Sequence, residues 1–240
     1  MRINWNFIKL MLLLIATVFL YAFASHRNKQ RLVPEVRVQF EDESQPFVSR
    51  KVVNKLLIQN KDTLTKSTKE KLALKEMEAH VNEHPFIKNA EVYVKMDGSL
   101  GVNIEQRKPI ARVNDSISYY IGVEGEVMPL SSNFSARVPL VTGIVKKDIP
   151  EVHELVTFIR EDAFLEKHIV GINKRANGDY VLTPRTYGYK LVLGKVTKLS
   201  LKFNNYKAFY KKAQNDKTVN DYDWITLKYD NQVVCTKKRV

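Results

Sequence analysis

From Phe7 to Ala24 the sequence is apolar except for Lys9 and Thr17, and no other stretch constrains the chain as strongly. As a helix it spans about 27 Å at ~1.5 Å per residue, close to the ~30 Å hydrocarbon thickness of a bilayer. Leu10, Leu12, Leu13, Leu14, Ile15, Val18, Phe19, Leu20 and Phe23 supply the apolar surface. Each favours insertion by roughly 0.3–0.6 kcal/mol, in sum on the order of 4 kcal/mol. Lys9 lies near one end and can snorkel to the headgroups. This segment inserts. Ala22-Phe23-Ala24 has the A-x-A form of a signal-peptidase site, so a cleaved signal and a retained anchor are both open. The long run, with bulky Leu20 and Tyr21 before the site, favours the anchor. Arg2 and Lys9 lie at its N-terminal end while Arg27, Lys29 and Arg31 follow it, so charge alone leaves the orientation undecided.

Beyond a short tail (1–6) and the span (7–24), residues 25–33 are polar and basic and form a linker. The chain has 240 residues, enough for one large or two small domains. Its formal charge of +13 would favour an anionic polymer only if concentrated on one face, and the Lys and Arg residues are scattered. A solvated basic surface is the simpler account, and no nucleic-acid partner is expected. A single cysteine, Cys235, excludes an internal disulfide framework and a thiolate-rich metal site. Beside Val233 and Val234 it serves as a small apolar strand residue.

Periodicity divides the rest. Glu35–Phe40 alternates as a strand, and Ser49 fits an N-cap for a helix with Val52, Val53, Leu56 and Leu57 on one side. Ser67-x-x-Glu70 is a capping box before the stripe Leu74, Met77, Val81, which Pro85 stops. Ala90, Val92, Val94 and Met96 then alternate with polar residues. Asp97-Gly98 tolerates the positive φ of a tight turn, and Leu100, Val102 and Ile104 return. The order strand-helix-helix-strand-strand makes a compact α+β unit. After Pro109 come short strands at Ala111–Val113, Ser118–Ile121, Val127–Leu130 and Val138–Val141. A helix buries Val152, Leu155, Val156 and Ile159, and strands follow at Ile169–Lys174, Asp179–Leu182 and Tyr189–Leu193. A second helix, Thr197–Lys212, carries Leu199, Phe203, Tyr206 and Tyr210. The sequence ends in strand Trp224–Tyr229, an Asp230-Asn231 turn and strand Gln232–Lys237.

Few residues carry chemistry. His80-Val81-Asn82-Glu83-His84 matches H-x-x-E-H, which in zinc hydrolases sets two histidine ligands and a glutamate base on successive turns. Here Pro85 ends the helix at the second histidine, and no strongly placed third ligand follows. The nucleophile-elbow, P-loop, dinucleotide and C-x-x-C signatures are missing. Glu161-Asp162 at a helix end and Glu124/Glu126 around Gly125 fit solvated charges. The last hairpin is more informative, because a terminal strand at a sheet edge offers unpaired N–H and C=O groups to which a partner can add a strand. Trp224 and Tyr229 are amphipathic aromatics that suit either an interface or the core.

Taken in order, several segments resemble the FtsQ/DivIB family of bacterial cell-division proteins. They are the basic start, the single span, the β-α-α-β-β unit, and "HPFIKNAEVYVKMDGSLGVNIEQRKPIARV" with its E-x-R-x-P-x-A exit. Further on come "YYIGVEGEVMPL", "ARVPLVTG", "LVLGKVTKLSLKFNNYKAFY" and "WITLKYDNQVV". The resemblance implies a POTRA domain (34–108) and a mostly antiparallel β domain with flanking helices (109–240). It implies an inner-membrane, single-pass protein with a cytoplasmic N-terminus and a periplasmic bulk, acting at the division septum. Such proteins are scaffolds without cofactors, not enzymes, and link early division factors to control of septal peptidoglycan synthesis. The POTRA domain is expected to contact other divisome components. The last strands are expected to bind coiled-coil proteins like FtsB and FtsL, with FtsB adding a strand. The contact set would be Trp224, Tyr229, Asn231, Gln232, Val233, Val234, Cys235, Thr236 and Lys237. By position, Tyr229 and Asn231 fall on partner contacts, Lys237 stands where some members have tryptophan, and Gly122 replaces a commonly acidic residue. Glu105, Arg107 and Pro109 read as the hinge between domains. Other readings are an envelope-assembly or secretion protein built on a POTRA unit, or a zinc-dependent hydrolase using His80, Glu83 and His84.

Overall fold

The computed structural model describes residues 5–29, 37–42, 44–59, 70–96 and 99–238. Val36 of the first strand, Ser67 of the capping box and the Asp97-Gly98 turn lie outside them. Helix α1 (Trp5–Lys29) contains a segment, Ile8–His26, long and apolar enough to cross a membrane. Thr17 satisfies its own hydroxyl by donating to the Leu14 carbonyl (2.8 Å), the usual solution inside an apolar helix. Helical bonding runs on to Lys29, past the apolar stretch and into the basic residues read as linker, because Arg, Asn and Lys do not stop a helix already nucleated.

The chain divides into two compact units, the first of residues 1–41, 50–83 and 89–105, the second of 42–49, 84–88 and 106–240. Strands β1 (Arg37–Phe40), β2 (Ile87–Val94) and β3 (Leu100–Gln106) form a sheet in the order β1-β3-β2. Helices α2 (Arg50–Gln59) and α3 (Glu70–Asn82) fall between β1 and β2, giving the expected β-α-α-β-β order. Val53 and Leu57 of α2, Met77 and Val81 of α3, and Ala90, Val92, Leu100, Val102 and Ile104 of the sheet are buried. Val94 and Met96 depart from the expected pattern. Val94 ends β2 on its apolar face and Met96 lies past the strand end in the turn, and both are exposed.

The second unit holds one nine-stranded sheet. In chain order its strands are β4 (Pro109–Val113), β5 (Tyr119–Gly122), β6 (Val127–Met128), β7 (Leu140–Thr142), β8 (Ile169–Lys174), β9 (Tyr180–Pro184), β10 (Lys190–Gly194), β11 (Tyr222–Thr226) and β12 (Val234–Lys237). They lie in the order β12-β11-β10-β9-β8-β7-β4-β5-β6. Five neighbouring pairs are antiparallel and three parallel, so the sheet is mostly antiparallel. A parallel pair needs a crossover; helical segments supply two of the three, and the chain passes from β4 to β7 through β5 and β6. Helices α4 (Ile149–Glu161) and α5 (Ala163–His168) carry the chain from β7 to β8, and α6 (Leu199–Asn215) carries it from β10 to β11. Val152, Leu155, Val156 and Ile159 are all buried, as their spacing predicts, with Leu199, Phe203 and Tyr206 in the same core. Helix α5 escapes the periodic reading because six residues show less than two turns. Its cap is the aspartate read as solvated: Asp162 accepts from the N–H groups of Phe164 (3.1 Å) and Leu165 (3.0 Å).

Residues 42–49 and 84–88 cluster with this second unit. Phe47 packs against Phe86, Phe134 and Tyr120, with ring centroids 5.6, 5.1 and 6.2 Å away. Buried Gln106 accepts the Val48 N–H (3.0 Å), so a polar side chain closes this cluster without an unpaired group.

Candidate functional site

At one end of the nine-stranded sheet, β12 has a neighbour on one side only among the described residues. Trp224 lies opposite Thr236, Ile225 opposite Cys235 and Thr226 opposite Val234. The N–H of Lys238 donates to the Asp221 carbonyl (2.8 Å). Backbone direction alternates along a strand, so the groups of Thr236 and Val234 also face β11. Those of Cys235 and Lys237 face outward. The open edge therefore presents two N–H and two C=O groups. Side chains alternate in the other direction. Val233 and Cys235 pack on the core, while Val234, Thr236 and Lys237 are exposed. Burial pushes the Cys235 thiol pKa up, which keeps it protonated and apolar in character.

Sequence reading extends strand β11 to Tyr229, but the ladder stops at Thr226, and ion pairs explain why. Leu227 still donates to the Val192 carbonyl (2.8 Å). Lys228 then pairs with Asp179, whose carboxyl is held below its usual range by that hydrogen bond. Asp230 pairs with Lys198, and its carbonyl accepts from the Asn205 amide (2.9 Å). Lys198 caps α6 in the left-handed conformation (φ 53°), a strained posture for lysine that aims its ammonium at the turn. Beneath the helix start, buried Lys202 donates to the Lys195 carbonyl (2.7 Å), and burial lowers its pKa. The loop from β11 to β12 is thus clamped to α6 and to the β8–β9 turn. It holds Tyr229 out at 52% exposure, with Asn231 and Gln232 exposed beside it. Trp224 is half-buried, with the Arg175 guanidinium 4.7 Å from its ring centre, a cation–π contact on the face shared with Thr236.

The predicted residues therefore gather in one place: Trp224 on β11, Tyr229, Asn231, Gln232 and Val233 in the loop, and Val234 to Lys237 on β12. Lys198, Asn205, Asp179 and Arg175, which hold them, were invisible to spacing arguments because each lies far from its partner in sequence. The predicted hinge residues sit elsewhere. Glu105 is half-buried in β3 and Pro109 opens β4 opposite Gly122. Arg107 donates to the Ile87 carbonyl (3.1 Å) and pairs with Glu126 (3.4 Å) and Glu124 (3.8 Å). Of the H-x-x-E-H residues, His80 Nδ1 lies 3.3 Å from Glu83, and His84 Nδ1 accepts the Phe86 N–H (3.4 Å). Among the described residues no group of three or more His, Cys, Asp and Glu could hold a metal ion.

Known proteins match in two blocks. The family model described as "FtsQ/DivIB, C-terminal related" matches residues 108–236, and one described as "POTRA-like domain" matches residues 33–105. The cell division protein FtsQ of Geotalea daltonii is 25% identical over 179 residues, 69% of this chain and 64% of that protein. The match thus spans less than two thirds of that relative's length. A solved structure of the major extracytoplasmic domain of the trans isomer of bacterial cell division protein DivIB, from Geobacillus stearothermophilus, aligns at 17% identity and a TM-score of 0.33. That alignment covers 47% of this chain and 97% of the other.

Proposed function

Because this chain belongs to the FtsQ/DivIB family of cell-division proteins, we propose that it is a non-catalytic divisome scaffold whose β12 edge captures a strand of an FtsB-like partner. The observation that carries this reading is the open edge itself: outward N–H and C=O groups at Cys235 and Lys237, beside an exposed and clamped Tyr229. An added strand would take its affinity from main-chain bonds and its specificity from the neighbouring side chains. Tyr229, Asn231 and Gln232 would form one flank of that site, and Trp224, Val234 and Thr236 its outward face. Exposed Lys237 and Lys238 would speed encounter with an acidic partner, an effect that weakens in salt. An FtsL-like coiled coil would arrive with the FtsB-like chain. The POTRA-like region would contact other divisome components, with residues Glu105, Arg107 and Pro109 as the joint between the domains. In this reading α1 anchors the protein in the inner membrane at the septum, with the N-terminus cytoplasmic and residues beyond the span periplasmic. No cofactor takes part.

A photo-crosslinking amino acid at Lys237 tests the site in living cells. The expected adduct, identified by mass spectrometry, is a small single-span coiled-coil protein, and the same probe at Lys211 on the opposite flank of α6 should not give it. Depletion of the chain should produce long undivided cells. Normal septation after depletion would remove the division role, and a Lys237 probe that captures only what Lys211 captures would remove the edge.

A further inference from the structure

Two apolar side chains at the end of β2 are exposed. Ala90 and Val92 are buried, but Val94, next on the same face, is 54% exposed and Met96 is fully exposed. The Lys95 N–H donates to the Ser99 carbonyl (2.8 Å), and on the other face the Tyr93 hydroxyl donates to Asn103 (3.4 Å). The result is a finger in which Tyr93 and Val94 lie on opposite faces of β2, with Lys95 and the exposed Met96 just past its end.

Register shows which way the finger points relative to the incoming chain. β1 is parallel to β3, with its first residue, Arg37, opposite Gly101. The chain therefore enters the sheet at the hairpin end, and the tip extends roughly 7–10 Å beyond that entry point, two or three residues of strand. Only residues 30–36 separate Arg37 from the end of α1 at Lys29. Even fully extended they place Arg37 within about 29 Å of the helix end. A finger on so short a tether meets the bilayer surface at high effective concentration, so even a weak contact would be populated. The sequence between the apolar stretch and β1 carries Arg27, Lys29 and Arg31, and Arg37 opens β1, a basic run of the kind that anionic headgroups attract.

We propose that Val94 and Met96, at the β2–β3 tip, insert into the headgroup–acyl boundary of the bilayer that α1 crosses, giving the first unit a second membrane contact. Met96 enters the apolar layer, while Tyr93 and Lys95 stay at headgroup level, as amphipathic side chains do. The proposal rests on the reading of α1 as an anchor, and the test separates the two. The full chain carrying Cys235→Ser is placed in nanodiscs of phosphatidylcholine and phosphatidylglycerol containing a doxyl-labelled lipid. An environment-sensitive fluorophore is attached through a cysteine at Met96, Val94, Thr17 or Lys211. Labels at Met96 and Val94 should shift to the blue and be quenched about twofold or more by the doxyl lipid, as expected for the boundary layer. The Lys211 label should do neither, and the Thr17 label should report the span. A Met96 label as wet as that at Lys211, with Thr17 quenched, overturns the tip contact and leaves the anchor standing. A Met96 label that is blue-shifted but not quenched means that protein, such as a second copy, covers the tip, and overturns the lipid contact. Absence of quenching at Thr17 overturns the anchor and the tip contact together.

Discussion

His168 ends α5 among aromatic rings instead of carboxylates. Its Nε2 lies 2.6 Å from the Tyr206 hydroxyl and 3.3 Å from that of Tyr189, which are themselves 2.5 Å apart. The Phe164 ring stacks on it at 4.7 Å and Tyr210 meets it edge-on at 5.0 Å. No acidic side chain is among these partners, and only 7% of the residue is exposed. Burial therefore pushes its pKa from 6.5 down to about 4, and the same burial pushes Tyr189 up to about 12. Between these two histidine values the unfolded chain binds the proton and the folded one does not. The stabilisation is thus fully present above about pH 6.5 and is lost as the pH falls towards 4, on the order of 3 kcal/mol in total. Asp42, held down to about 2 by hydrogen bonds from Ser44 and by Lys108, titrates below that window. Urea unfolding followed by Trp224 fluorescence, with Trp5 replaced by Phe, should show this loss between pH 7 and 4.5. His168→Gln, which keeps a hydrogen-bonding group without the titration, should flatten the profile there. An equally steep profile in the variant would assign the loss to other groups.

At the scale of elements, the edge strand makes a sharp pair of expectations. Proline is tolerated where a strand's N–H points to solvent and damaging where it belongs to the ladder. Cys235→Pro removes an outward donor, so the fold should survive while capture of the FtsB-like strand falls about tenfold or more, one main-chain bond and the space it needs. Val234→Pro removes a donor that faces β11 and should fray β12 itself. Co-purification with the partner and a melting curve for each variant check both, and unchanged capture by a folded Cys235→Pro chain would reject the edge. That the two substitutions differ was beyond sequence reading, which found β12 and its outer position but not its parity. The stripes Val152-Leu155-Val156-Ile159 and Leu199-Phe203-Tyr206 were legible because helical spacing records one buried face. The exposure of Val94 and Met96 was not, since alternation records which face of a strand is apolar and not how far along the strand that face is covered. Nor was the end of β11 at Thr226, because it is set by Lys228–Asp179 and Lys198–Asp230, contacts across 49 and 32 positions. The parallel neighbours β10 and β11 likewise depend on α6 as a crossover, a property of topology and not of either strand.

For the whole molecule, the side of the membrane decides whether these surfaces can meet a periplasmic partner. Among the described residues α1 contains the one helix long and apolar enough to span a bilayer. If that helix spans, the described residues from Arg37 to Lys238 share one side, so a single measurement places both units. The net charge of +13 is compatible with either side. Scattered over the surface, that charge keeps the protein soluble on either side without selecting a partner. Charge near the span does not choose between them either, with Lys9 near its N-terminal end and Arg27 and Lys29 after it. The periplasmic side follows from the proposed function, in which the β12 edge takes a strand of an FtsB-like partner. Alkaline phosphatase fused after Val240 should therefore be active in intact cells, because it folds only where its disulfides form. A green fluorescent protein exported by the same route in the same place should stay dark. The opposite pair of results would put the β12 edge in the cytoplasm and exclude a periplasmic FtsB-like strand as its occupant, whatever the edge binds in isolation.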